Sequence, residues 1–333
     1  MNKEIKITLS SRHEFPFLYD IKMGNPNGDP DENRPRVLPD GTHYVTDVRL
    51  KRFARDFMKS QGKDILVDNI EGRTTNLTGR VVRYLEKEKK PEANEKELVD
   101  ILLNAFIDAR LFGSSFAFKA EEAKGESSRK ADWKPIPKTM TGAVQLNMGE
   151  VLHKAEEVDI HGTSIFASGQ EKTQGTFTTY FGLRYALIGF SGVANEHSAE
   201  ISKMSDEDYE YLLKAMWHGV RVCGNTRTKV GQIPHLLIDI KYKQGEEFQI
   251  GRLHDYVKME ATNGKKEKEW ASPEDYKLDL TLLIKHLEEQ KDRIEAVRYA
   301  KSSDIQFVGE LPSTWETFDI EALPPKKAAT SKE

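Results

Sequence analysis

The chain has a single cysteine, Cys223, so no intramolecular disulfide can form. Without a CxxC partner or a nucleophile signature, the thiol reads as a core residue at the end of an apolar helical face. No apolar run approaches the ~18 residues that span a bilayer. The opening MNKEIKITLSSRHEF is mixed and charged where a secretory leader has an apolar stretch. The expected setting is the cytoplasm, with no membrane partner. The nine histidines are scattered, with no HExxH and no i, i+4 pair, so the sequence offers no metal centre. Walker and dinucleotide-binding glycine patterns are missing, as is any G-x-S-x-G elbow; no cofactor is expected and catalysis has no positive support. Positive charge is not in excess either. The net charge is -4, so nucleic-acid binding would need local basic patches on an otherwise acidic surface.

What the chain does have is organised around residues 15–59. The run FPFLYDIKM is nearly continuous in apolar residues, which suits a central strand covered on both sides. The loop GNPNGDPDENRPR follows, dense in Gly, Pro, Asn and Asp, with three glycine-bearing dipeptides that favour tight turns or left-handed backbone. A helix near 46–58 then starts at Thr46 as N-cap, with Asp47 suited to the helix dipole. Leu50, Phe53, Ala54 and Phe57 recur at i, i+3, i+4, i+7 and form its core face. At about 100° per residue, Arg49, Arg52, Arg55 and Lys59 fall opposite, with Lys51 at the margin and Asp56 the one acid among them.

Residues 60–135 change character: a short charged helix, a nearly all-charged run at 87–97, one amphipathic helix over 96–112 stopped by Gly113, and a loop-like composition at 119–134. They read as an insertion hung from the main sheet. Strand character resumes at 141–156. Residues 160–182 form a protruding hairpin with a Gly-, Ser- and Thr-rich tip, followed by a buried strand at 183–193. Ser205 with Asp206, Glu207 and Asp208 marks a capped helix start, the segment 224–232 is a basic glycine-bearing loop, and 235–243 is a further strand. Beyond it lie a polar stretch, a helix of about 20 residues within 273–299, and a tail after Leu323 read as disordered. Without the insertions the order is strand, helix, strand, strand, helix, strand. That is the split βαβ, ferredoxin-like arrangement, an α+β fold that would leave one sheet face free. RNA-recognition-motif domains use such a face, but their stacking motif is absent.

Several readings of the loop stand side by side. Asn25, Asn27, Asp29 and Asp31 alternate like calcium ligands, but Pro30 occupies the position where an EF-hand needs glycine. Asp29, Asp31 and Glu32 could hold Mg²⁺ in a metal-dependent ribonuclease, or simply form turns. Loop amides and Asn side chains could instead touch a nucleic-acid backbone, joined by the cations of the helix face, although most such charge stripes are only solvated. Arg227 and Lys229 offer a further phosphate contact. The apolar Ile165, Phe166 and Phe177 of the hairpin could wedge between bases or meet another protein.

Taken together, FLYDIKMGNPNGDPDENRPR followed by VTDVRLKRFARDF resembles the repeated backbone subunit of type I CRISPR Cascade complexes, a RAMP-superfamily group, and is most similar to the type I-B branch. GAVQLNMG, FASGQEKTQGTF, YALIGFSGVANE and GNTRTKVGQIPHL support the same placement, in pieces over 13–243. The resemblance implies an RRM-like palm (1–59 and 136–243), a helical finger insertion (60–135), a β-hairpin thumb (about 157–182) and a C-terminal helical extension (244–322), ahead of the tail (323–333). It implies an oligomeric filament along a CRISPR RNA, with thumbs displacing guide bases at intervals and the rest displayed for pairing with target DNA in antiviral defence. The implied partners are the CRISPR RNA, target DNA through the guide, further copies of the chain, the large subunit, the 5′-handle-binding subunit and the guide-processing endonuclease. The role is that of a scaffold and not an enzyme. Carried onto this chain, the RNA contacts are Asn25, Asn27, Arg49, Lys51, Arg52, Arg55, Arg227 and Lys229, and the wedge candidates are Ile165, Phe166 and Phe177. Two rivals remain: a ribonuclease using Asp29 and Asp31, and a protein-only oligomeric scaffold.

Overall fold

The structure is a computed structural model that describes residues 8–68, 77–87, 95–115, 139–163 and 177–323. Its strands are β1 (His13–Gly24), β2 (Tyr44–Val45), β3 (Gly113–Ser115), β4 (Thr139–Thr141), β5 (Val144–Leu146), β6 (Gly149–Val151), β7 (Glu157–Thr163), β8 (Phe177–Ala194), β9 (Ile233–Tyr242), β10 (Lys258–Ala261), β11 (Tyr276–Asp279), β12 (Ile294–Lys301) and β13 (Glu316–Thr317). Its helices are α1 (Asp47–Ser60), α2 (Leu77–Lys87), α3 (Glu95–Ala105), α4 (Ile107–Phe112), α5 (Glu196–Ser202), α6 (Asp206–Val222) and α7 (Thr281–Glu289). One mixed sheet runs β13-β12-β9-β1-β8-β6-β2, with β5 and β7 also paired to β8.

β1 lies at the centre, antiparallel to β8 and β9, with Phe17 facing Phe190 on one side and Leu237 on the other. Its side chains alternate between two cores, as strand geometry requires. Phe15, Phe17, Tyr19 and Ile21 pack beneath α1 and α6. Leu18 points the opposite way, into a core shared with Tyr185, Leu187, Leu236 and Ile238. This double burial explains the near-continuous apolar run. Pro234, which has no N–H to give a ladder, falls where the β1–β9 register shifts at Leu18 and Tyr19.

α1 buries Leu50, Phe53, Ala54 and Phe57, as the spacing predicts, and also Met58. It crosses α6 closely at Gly219, where a Cβ would stand 2.5 Å from the Phe53 carbonyl oxygen. α6 begins with the expected capping box between Ser205 and Asp208. Cys223 packs against this core at the end of α6, and burial pushes its thiol up to about 11.

Three expectations need correction. The second sheet face is not free. Leu253, Val257, Trp270, Tyr276, Leu278, Leu283 and Leu287, all beyond β9, cover it as a second core. The C-terminal extension is also not mainly helical: α7 has 9 residues, and the apolar positions after it belong to β12, which pairs with β9. Ile294, Val297 and Tyr299 are β-formers, so sheet pairing overrode the helical spacing. Arg298 of β12 then meets buried Asp239 at 2.7 Å and Glu210 of α6, which ties the segment to both layers. Lastly, the single helix over 96–112 breaks at Phe106 (φ -106, ψ 109), whose ring is buried in the small core of α2–α4 beside Tyr84. Residues 116–138, 164–176 and 324–333, with the expected loop, hairpin tip and tail, lie outside the described residues.

Candidate nucleic-acid interface

β1 ends at Gly24, and its end is stitched to the turn between α6 and β9. The Asn25 N–H donates to the Thr228 carbonyl (2.8 Å), and Lys229 Nζ donates back to the Asn25 carbonyl (3.1 Å). A Cβ on Gly24 would stand 2.6 Å from the Thr228 oxygen. A Cβ on Gly28 would overlap Asn33 Oδ1, so the Asn33 side chain would have to move aside. The left-handed residues here are instead Met23 (φ 51) and Asn33 (φ 57).

The asparagines and aspartates hold the loop together. Asn27 Oδ1 accepts the Thr46 N–H (2.9 Å) and hydroxyl (2.8 Å), so Thr46 fastens the loop and its side chain makes no cap bond to α1. Asn25 Nδ2 donates to the Asn33 carbonyl (2.7 Å), while its Oδ1 is buried without a hydrogen bond. Asp29 Oδ1 accepts the N–H groups of Asp31 (3.1 Å), Glu32 (2.8 Å) and Asn33 (2.9 Å). That is a turn-forming carboxylate. Asp31 is exposed, and neither aspartate joins a potential metal-binding cluster among the described residues.

The cations of α1 separate into two groups. Arg55 meets buried Asp108 of α4 (3.0 Å) and lies over the Phe112 ring (4.9 Å). Lys51 pairs with Asp47 (2.7 Å) beside the same ring (5.5 Å). Arg52 pairs with Asp56 (2.8 Å) and Lys59 with Asp68. The expected open stripe of one sign is therefore largely neutralised, and Arg55 points into the protein. Arg49 differs: it has no ion pair among the described residues and lies over Phe53, near the Tyr19 phenol, with the charges of Arg52, Asp56 and Lys229 within reach. Burial lowers Arg49, which Tyr19 opposes. Burial, then Arg49, lowers Lys229 to about 8. Arg227 is exposed, also without an ion pair, and stacks over Tyr180 of β8 at 4.2 Å. The tertiary structure thus gathers Arg49, Arg227 and Lys229 around the end of β1 with no ion pair to any of them among the described residues.

The same place is the root of the β7–β8 hairpin. Arg34 lies 3.8 Å above the Phe181 ring and pairs with Glu32 (2.9 Å), Glu157 (3.6 Å) and Asp159 (3.8 Å), binding the loop to both hairpin strands. Of the wedge candidates, Ile165 and Phe166 lie outside the described residues, and Phe177 begins β8 opposite Thr163. Sequence reasoning missed Arg34 and Tyr19. Arg34 stood in a segment read as turn. The Tyr19 hydroxyl, buried without a hydrogen bond, looked like one more apolar strand residue.

The overall fold is similar to that of chains in CRISPR RNA-guided surveillance complexes. One such chain superposes with a TM-score of 0.50 at 13% identity, covering 93% of this chain and 95% of its own. A chain of a pre-nicking surveillance complex gives 0.53 at 13% identity, over 93% and 96%. The sequence is more specific than the fold. The profile of CRISPR-associated protein Cas7 matches residues 11–281. A CRISPR-associated protein Cas7 of Haloferax volcanii is 31% identical over 299 residues, 87% of each chain. The chain belongs to the Cas7 family. No helix among its described residues is long and apolar enough to cross a membrane.

Proposed function

We propose that this chain is the non-catalytic, repeated backbone subunit of a cytoplasmic type I Cascade complex of the I-B-like branch. It binds CRISPR RNA along its backbone and displays the guide for pairing with target DNA. The observation that carries this reading is the cluster of Arg49, Arg227 and Lys229, none of them in an ion pair among the described residues. Burial disfavours charge on two of its members, and a phosphate would restore it. The sheet order β9-β1-β8, with α1 and α6 on one face, supports an RRM-like palm. The β7–β8 hairpin has the position of a thumb and α2–α4 that of a finger. Lys51 and Arg52, exchanging Asp47 and Asp56 for phosphate, add outer contacts, while Asn25 and Asn27 present the loop that holds Lys229. Arg55 serves as a brace. In this reading neighbouring copies, the large subunit, the 5′-handle-binding subunit and the guide-processing endonuclease complete the assembly. The test is purification with and without the Arg49→Ala, Lys229→Ala pair: wild type should carry RNA of one defined length, and the variant should lose it as salt rises. RNA retention that is indifferent to both the substitutions and salt would sink the proposal.

A further inference from the structure

On the sheet face away from α1, three side chains converge where β6 meets the turn after β9. His254 lies in a 3-10 turn at Leu253–Tyr256 and is 1% exposed. Its Nδ1 is 2.7 Å from Ser191 Oγ of β8 and 3.4 Å from Asn147 Nδ2. Its Nε2 is buried and makes no hydrogen bond; Asp255 Oδ1 stands 3.5 Å away. One ligand atom from each of Glu150, His254 and Asp255 lies within 4.8 Å of the other two. Buried polar nitrogens are nearly always partnered, so a buried Nε2 without a hydrogen bond, beside the Asp255 carboxylate, calls for an explanation.

The donor set supplies one. Imidazole nitrogen with carboxylate oxygens binds zinc at ~2.0–2.2 Å, and side chains whose ligand atoms lie within 4.8 Å of one another can close on one ion by small side-chain shifts. Magnesium and calcium prefer all-oxygen sets, so the imidazole favours a transition metal. Ser191 Oγ accepts the His254 backbone N–H (2.9 Å); with a metal on Nε2 the ring proton sits on Nδ1 and Ser191 Oγ accepts it too (2.7 Å), in place of the 3.4 Å contact from Asn147 Nδ2. That leaves the Nε2 lone pair free, and such an oxygen on the far ring nitrogen is the usual support of a metal-bound imidazole. Glu150 and Asp255 are only partly buried, so water can fill the remaining positions.

We propose that Glu150, His254 and Asp255 bind one divalent transition-metal ion, with zinc the best fit, and that the ion fastens the 253–256 turn to β6 and β8. The other candidate cluster, Glu196, His197 and Glu247, is a contrast. Arg12 already engages Glu196 (3.1 Å) and Glu247 (3.4 Å), and His197 pairs with Glu247 (2.7 Å).

The test uses the tag-free full chain, stripped with a chelator and titrated with Zn²⁺ alone. Metal content and thermal midpoint are read for wild type, Glu150→Gln, Asp255→Asn, His254→Asn and, as control, His197→Ala. One equivalent of zinc and a rise of roughly 3 °C are expected for wild type and His197→Ala. Affinity should fall roughly 10-fold or more in the three site variants. Co-purifying RNA adds the same background to every sample, so differences between variants report the site. The partly exposed Glu150 and Asp255 keep the test open if His254→Asn fails to fold. Absence of zinc binding by wild type, equal binding by Glu150→Gln and Asp255→Asn, or loss of binding in His197→Ala alone would each overturn the proposal.

Discussion

Toward the helical insertion, Arg55 meets Asp108 at 3.0 Å, and nearby Arg110 makes a two-pronged pair with Asp208, both bonds 2.7 Å. Toward the turn at 226–229, Arg49 and Lys229 lie half-buried and make no ion pair among the described residues, with Asp56 acting on Arg49 only from a distance. Both regions carry cations of α1, yet their electrostatics are opposed. Toward the insertion, charge is satisfied inside the chain and serves cohesion. At the end of β1, charge is partly desolvated and outside any ion pair among the described residues, the arrangement expected where an external anion completes the site. Counting cations would treat the two regions alike, whereas pairing separates them.

The sharpest way to break this contrast is to cut the cohesive side. Arg110→Ala takes the guanidinium away from the nearly buried Asp208, which keeps its Ser205 cap bond, and also removes the bond to the Leu103 carbonyl (2.6 Å). Unfolding in denaturant should show a loss of about 3–5 kcal/mol, with a loss near zero counting against the cohesive role. Next comes the open side. Arg49→Ala with Lys229→Ala should leave unfolding nearly unchanged but weaken RNA binding by roughly 10-fold or more, and lower the salt slope by ~1.4, for two phosphates at ~0.7 each. A destabilised fold with unaltered RNA affinity would reverse the assignment.

A pH titration gives a smaller effect. Free Lys229 titrates at about 8 because burial and Arg49 disfavour its charge. A bound phosphate favours the charged form and raises that value. Affinity should therefore be full below about pH 8 and fall above it, by up to ~10-fold per pH unit. Lys229→Ala should flatten this window in fluorescence binding curves. Without RNA the sign reverses: the depressed folded value makes stability rise with pH from about 8 toward the unfolded lysine range. The smallest effects concern the loop acids. Asp29→Ala should cost about 1 kcal/mol by freeing three backbone N–H groups, and Asp31→Ala should do nothing measurable. Labelled RNA with Mg²⁺ or Mn²⁺ should show no cleavage that depends on either residue, and cleavage that disappears with them would restore the ribonuclease reading.

Some of this was legible in the chain. The period of Leu50, Phe53, Ala54 and Phe57 placed the buried face of α1, and the unbroken apolar run of β1 announced its central position. The Ser205 cap and the β7–β8 hairpin were also readable. Arg227 and Lys229 were candidates from a glycine-flanked loop, and the structure sets them beside Arg49. The fate of Arg55 was hidden because its carboxylate comes from Asp108, 53 residues away. The break at Phe106 was hidden because Leu103, Ile107 and Leu111 continue a helical spacing straight through it.

Local sequence could determine what depends on neighbours a few residues apart: which face of α1 is apolar, where α6 begins, that 24–44 turns and that β1 is doubly covered. Those features follow from periodicity, capping and backbone preference. Tertiary structure alone decided which cations are spent on distant acids, what covers the second sheet face, and that β12 is a strand. Each depends on a contact between segments far apart in the chain, such as Arg110 with Asp208 or Arg298 with Asp239, and no local pattern encodes such a meeting.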